Sequence, residues 1–198
     1  MDNTFKPDIV FLNLSEAEFP NRELDLPREL VQLSRGESTF KINWVPGRNT
    51  KTMKKVFPIL PMLDDSDRII IIDDDLDIPI DLVELRVREF EEHSCKYAIS
   101  GACNPRLHLN KPLVGKFKYN TIAQTSIFTK RMLKGYDKIL TDALIDTLND
   151  DCLYSMLILS NGFRILPSLY LSTPAGGNTL KKLSLVNEID PLRFGRED

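Results

Sequence analysis

The sequence predicts an α/β fold: a Rossmann-like, mixed but mainly parallel sheet flanked by helices, in a single domain. Three observations lead there. Strand-length apolar runs alternate with helix-period segments in the order β-α-β-α-β-α-β through the first half of the chain. The run Ile69-Ile70-Ile71-Ile72 reads as a strand buried on both faces. It passes at once into Asp73-Asp74-Asp75, so charge gathers where that strand leaves the sheet. A chain of 198 residues holds one well-filled core, expected over residues 1–171, with a loop or tail over 172–198.

The elements are expected as follows. Residues 8–14 (DIVFLNL) form the first strand, and the polar stretch 15–23 a loop. Asp25 caps a short helix over 27–33, with Pro27 tolerated in its first turn. In the strand 39–45, Phe40, Ile42 and Trp44 alternate with Lys41 and Asn43, up to the break at Pro46-Gly47. Thr50 caps a helix whose apolar face is Met53, Val56, Phe57 and Leu60, kinked or shortened by Pro58. A turn over 64–67 precedes the isoleucine strand. Pro79 and Asp81 open a helix to about His93, with Val83, Val87 and Phe90 inward and Arg86, Arg88, Glu89, Glu91 and Glu92 outward. Strands are expected over 97–102, 112–119, 124–128 and 163–166, and helices over 138–148 and from Asn149 to Ser160, stopped by Asn161-Gly162.

Composition narrows the function. With 28% charged residues and a net charge of −3, nothing global invites nucleic acid, so any anion site is local. Cys95, Cys103 and Cys152 are scattered, without CxxC or Cys/His spacing, and read as reduced thiols in a cytosol-like compartment. No signal-peptide pattern opens the sequence, and no run of about 18 apolar residues predicts a transmembrane segment. A cytoplasmic setting is therefore expected, although an anchor or further domains could lie outside this sequence.

The aspartate triplet is the strongest chemical signal. In extended backbone Asp73 and Asp75 share one face, roughly 6.5 Å apart at Cα, while Asp74 points the other way. Two carboxylates at that spacing suit a hard divalent ion, without which their charges repel. The bland alternative is a solvated loop of capping acids. Asp73, Asp75 and Asp77 also imitate the start of an EF-hand, but Ile78 stands where that loop needs glycine. A basic group, Arg48, Lys51, Lys54 and Lys55, lies at the expected helix start after Pro46-Gly47, from which Lys51 or Lys54 could reach a phosphate. It reads equally as a solvated face. In Asn149-Asp150-Asp151 one residue caps the next helix, which leaves an acid able to act as a general base. Trp44 either stacks on a nucleobase or fills the core. His93, His108, Lys181 and Lys182 are weaker candidates.

The run IIIIDDDLDIP over 69–79 resembles the DXD signature of GT-A glycosyltransferases. FLNLSEAEFP, DLPREL, the segment 44–60 and the late Asp150-Asp151 pair look like small sugar transferases of cell-surface polysaccharide clusters and of large DNA viruses, including chlorella-virus glycosyltransferase domains. The resemblance covers residues 7–168 and is most specific at the triplet. It implies a GT-A sheet, Mn²⁺ or Mg²⁺, a nucleotide-sugar donor with UDP as the expected carrier, and a glycan acceptor on protein or lipid. It implies a host-cytoplasmic location if the source is viral. By resemblance Asp75 binds the metal directly, and Asp73 contacts the metal or the donor ribose. Asp74 lies between them on the donor side, the most structural of the three. Asn13 and Leu14 sit near base and ribose, Lys51 near the phosphates, and Asp151 or Asp150 serves as the catalytic acid. The C-terminal histidine ligand common in the family is missing, since no histidine follows His108.

Two rivals remain. A haloacid-dehalogenase-type phosphatase also places DxDx[TV] at a strand end, but here Asp77 stands for the Thr or Val and the strand is the third. A nucleotide-sugar or cation-binding module without turnover is the non-enzymatic alternative.

Overall fold

The computed structural model describes residues 5–73, 78–101 and 121–168. Two sheets organise them. Strands β1 (Val10–Ser15) and β2 (Phe40–Val45) pair in parallel, from Val10 opposite Phe40 to Ser15 opposite Val45. Helix α1 (Arg28–Gly36) makes the crossover between them. Asp25 does not cap it. Its carboxylate accepts from Asn21 N at 2.8 Å and Asn21 Nδ2 at 3.0 Å, closing the preceding 3-10 turn, and the helix opens at Pro27 without a side-chain cap.

The helix expected after Thr50 is absent. Residues Lys51–Lys55 and Phe57–Met62 form two 3-10 turns instead. Pro58 and Pro61 supply no amide hydrogens, and Val56 between the turns adopts φ −127° and ψ −48°, so an α-helical ladder cannot run through. The apolar positions nevertheless turn inward as their spacing required, and Met53, Val56, Phe57 and Leu60 are all buried.

The second sheet has the order β3-β5-β4-β6. Among the described residues, strand β3 (Arg68–Ile70) pairs with one neighbour, antiparallel to β5 (Ile127–Thr129). The isoleucine run is not buried on both faces throughout, for Ile70 is only half-buried. Ile69 and Ile71 point into the core, and Ile72 is 42% exposed. Ile71 N still donates to Ser126 O at 3.0 Å, which carries the pairing to the threshold of Asp73. Strand β4 (Tyr97–Ser100) runs parallel to β6 (Arg164–Pro167) and meets β5 at Ile99 opposite Ile127. Strand β5 begins later than expected because Ala123 to Ser126 turn first, with Thr125 at φ +56°.

Helix α2 (Leu82–Glu92) packs on this sheet and overturns one expectation. Arg86 and Glu89, expected on the solvent face, are 0% and 4% exposed. They pair with each other one turn apart, Arg86 Nη1 donating to Glu89 Oε2 at 2.9 Å. Arg86 also donates through Nε to Thr125 O at 2.6 Å and through Nη2 to Thr125 Oγ1 at 2.9 Å. Ser168 Oγ accepts from Arg86 Nη1 and stands 2.8 Å from both Glu89 carboxylate oxygens. Partners of this density let a charged pair lie under a sheet.

The single helix expected over 138–148 is two, α3 (Tyr136–Ile139) and α4 (Asp142–Thr147). Leu140 turns extended and Thr141 Oγ1 caps the second by accepting from Leu144 N at 3.4 Å. Helix α5 (Asp150–Ser160) starts where expected: Asn149 Oδ1 accepts from Cys152 N at 2.9 Å, and Gly162 at φ +81° follows its end. The core joins the 3-10 turns to α5, with Phe57 stacked on Tyr136 (5.4 Å) and edge-on to Tyr154 (5.2 Å).

Among the described residues, no helix is long and apolar enough to cross a membrane. Asp74, Asp75 and Asp77, the strand expected over 112–119, Cys103, His108 and the tail 172–198 with Lys181 and Lys182 lie outside the described residues.

Candidate functional site

Three separated pieces of sequence meet at Lys55. Its backbone is fixed from the first sheet: Asn13 Nδ2 donates to Lys55 O at 3.0 Å, and Asn43 Nδ2 in turn donates to Asn13 Oδ1 at 2.7 Å. Val56 and Phe57, the next residues, are buried against α5, so the lysine cannot swing freely. Its ammonium then reaches two carboxylates, Asp73 Oδ1 at 2.6 Å and Asp150 Oδ2 at 3.2 Å. The end of β3 and the start of α5 are thus tied through one cation. Burial opposes the ammonium charge, but the hydrogen bond to Asp73 and the charge of Asp150 outweigh it, and the Lys55 pKa is raised.

Asp150 and Asp151 occupy the first turn of α5, where the helix dipole favours acids. Dipole stabilisation does not require burial, yet Asp150 is 5% exposed and its Oδ2 has no aligned hydrogen bond among the described residues. Asp151 has its carboxyl pushed up to about 6, first by burial and then by the charge of Asp150, with Lys55 pulling the other way and Asp73 adding to the rise. Tyr154 lies one turn further along α5, 0% exposed, its hydroxyl without an aligned hydrogen-bond partner among the described residues. Burial, then the charges of Asp150 and Asp151, hold that phenol well above its usual range.

The structure therefore brings Asn13, Asp73, Asp150 and Asp151 together, and adds Lys55 and Tyr154. The other candidates sit elsewhere. Lys51 Nζ pairs with Asp146 Oδ1 at 3.0 Å, an acid that Arg48 also holds, at 2.5 Å. Lys54 pairs with Glu18 in the loop after β1. Leu14 and Trp44 stand opposite each other in the β1–β2 register, one residue beyond the Asn13–Asn43 pair. Their side chains accordingly point to the other face. There Trp44 lines a groove of about 540 Å³ beside the end of α1, with Phe40, Ile42 and Arg35. Asp74 and Asp75 lie outside the described residues.

Sequence reasoning grouped Lys55 with its basic neighbours but gave it no part. The signal available was its place next to the buried Val56-Phe57 pair, which turns residue 55 toward α5. Tyr154 was missed although it stands three and four residues beyond Asp151 and Asp150, on the same helix face.

Carboxylate oxygens with no histidine or thiolate among them suit a hard cation such as Mg²⁺ or Mn²⁺. Asp73, at the strand end, is the described residue that fits as ligand. The described acids, histidines and cysteines do not by themselves close a group of three.

The sequence matches no model of a known protein family, and no curated protein matches it. Among solved structures, the chain is similar to a crystal structure of 4-diphosphocytidyl-2C-methyl-D-erythritol synthase. The TM-score is 0.43 and the identity 12%, over 91% of this chain and 78% of that one. The chemistry of the site rests on its own residues.

Proposed function

We propose that this chain is a nucleotide-dependent transferase and, more specifically, a metal-dependent glycosyltransferase. It moves a hexose-type sugar from a nucleotide sugar, with UDP as carrier, to a hydroxyl of a glycan acceptor on protein or lipid. The observation that carries the reading is the convergence of Asp73 with Asp150 and Asp151 around Lys55. A strand-end acid and a helix-start acid pair, far apart in sequence, meet as a donor side and an acceptor side would have to.

Each residue has a distinct part. Asp73 holds the donor side beside Asp75, the expected direct metal ligand, and Lys55 offers positive charge next to Asp73. A bound Mg²⁺ or Mn²⁺ would neutralise the leaving diphosphate. Asp151, with its carboxyl at about 6, is ionised in most molecules at neutral pH and still basic enough to take a proton from the acceptor hydroxyl. Asp150 is committed to Lys55 and raises the basicity of its neighbour.

The test is product formation. The full chain is incubated with UDP-hexoses, Mn²⁺ and mono- and disaccharide acceptors, and mass spectrometry follows glycoside and free sugar. Metal-dependent transfer, or slow donor hydrolysis, supports the reading. Phosphate release from simple monoesters without sugar transfer would replace it with a phosphatase. Donor binding without any turnover would replace it with a binding module.

A further inference from the structure

We infer that Lys55 is a built-in counter-ion for Asp73 and Asp150, and that a divalent cation taken up at Asp73 competes with its ammonium for that carboxylate. The inference rests on the metal-dependent reading above and assigns the lysine a part that reading does not require. The ammonium stands 2.6 Å from Asp73 Oδ1 and 3.2 Å from Asp150 Oδ2, between the two acids. A cation ligated by Asp73 there would face a like charge at contact distance, only partly screened, since the Lys55 and Asp73 side chains are 31% and 19% exposed. The lysine is not free to leave altogether. Asn13 holds its backbone carbonyl, and Val56 and Phe57 anchor the following residues in the core. Only the flexible four-carbon stem can respond. The ammonium then keeps Asp150 as partner and is released toward any anion bound with the metal. Lys51 and Lys54, engaged with Asp146 and Glu18, have no such coupling.

Mn²⁺ alone is the probe, with binding followed by water-proton relaxation in wild type, Lys55→Met and Lys55→Arg, each checked for folding by circular dichroism. Removing a competing cation predicts Mn²⁺ affinity at least about fivefold tighter in Lys55→Met and close to wild type in Lys55→Arg. Equal or weaker affinity in folded Lys55→Met overturns the counter-ion role while leaving the metal site standing. Absence of Mn²⁺ binding in every variant overturns both. A second measurement needs no variant. Acetylation footprinting of the wild-type protein should show Lys55 becoming more reactive on saturation with Mg²⁺ while Lys51 and Lys54 stay unchanged. Unchanged or lower reactivity of Lys55 counts against the inference.

Discussion

Asp150 and Asp151 are adjacent at the start of α5, yet they meet different surroundings. Asp150 turns its carboxylate to Lys55 at 3.2 Å, whereas Asp151 is pushed up to about 6 by burial and by the charge of Asp150. Two carboxyls held apart in this way can take different roles in one reaction.

Asp151→Asn should lower turnover about 10²- to 10⁴-fold, the usual contribution of a general base, with a smaller effect on donor binding. In the wild type, the acid limb of the kcat/KM profile, which reports the free enzyme, should fall with an apparent pKa of about 6. Steady-state rates between pH 5 and 8 check both. An acid limb near pH 4 would remove Asp151 from the role.

The same residue has a stability signature. Its folded pKa of about 6 lies above the ordinary unfolded carboxyl value of about 3.9, so the native state favours the protonated form. Asp151 therefore supports the fold fully below pH of about 4, and that support is lost as pH rises through about 6. Asp151→Asn should be more stable than wild type at pH 7.5, on the order of 1 kcal/mol once partial solvent exposure is allowed for. The advantage should vanish below pH of about 4. Urea melts across this range measure it.

Arg86 and Glu89 make a different prediction, of stability alone. Arg86→Met removes the ion-pair partner that the described residues give the buried Glu89 and should destabilise by about 3–5 kcal/mol. Arg86→Met combined with Glu89→Leu should be less damaging than the sum of the two single changes, because each single change already breaks the same pair. Denaturant midpoints of the three variants form the cycle.

Gly101 follows β4 and lies against Gln124 and Thr125. A Cβ there would stand 1.8 Å from Gln124 O and 2.1 Å from Thr125 Oγ1, and backbone on that side cannot yield cheaply. Gly101→Ala should therefore cost at least about 2 kcal/mol by thermal melt, whereas Gly36→Ala, with open space around it, should change little.

The fold was legible in the sequence where local pattern and tertiary demand agree. Strand β1, the alternating strand β2, the Asn149 cap and the glycine after α5 fall close to where the residues put them. The misses have definite causes. Two prolines turned an apolar helix pattern into 3-10 turns without changing which residues are buried. Four isoleucines suggested a central strand, but among the described residues β3 pairs only with the antiparallel β5, and the run fully buries only Ile69 and Ile71. Arg86 and Glu89 looked solvent-facing because burial of a charge depends on partners such as Thr125 and Ser168, distant in sequence. At the site, Asp73, Asp150 and Asp151 could be picked out by type and position. Which lysine of the basic group joins them could not, because Lys51, Lys54 and Lys55 differ only in how the turns aim them.

Calorimetric titration of UDP-sugars, with and without Mn²⁺, into wild type and Asp73→Asn reads the donor site itself. Donor binding should require Mn²⁺ and fall at least about tenfold in Asp73→Asn while the variant stays folded. Donor binding that is indifferent to both metal and Asp73, or no binding of any nucleotide sugar, would rule out a metal-dependent donor site at Asp73.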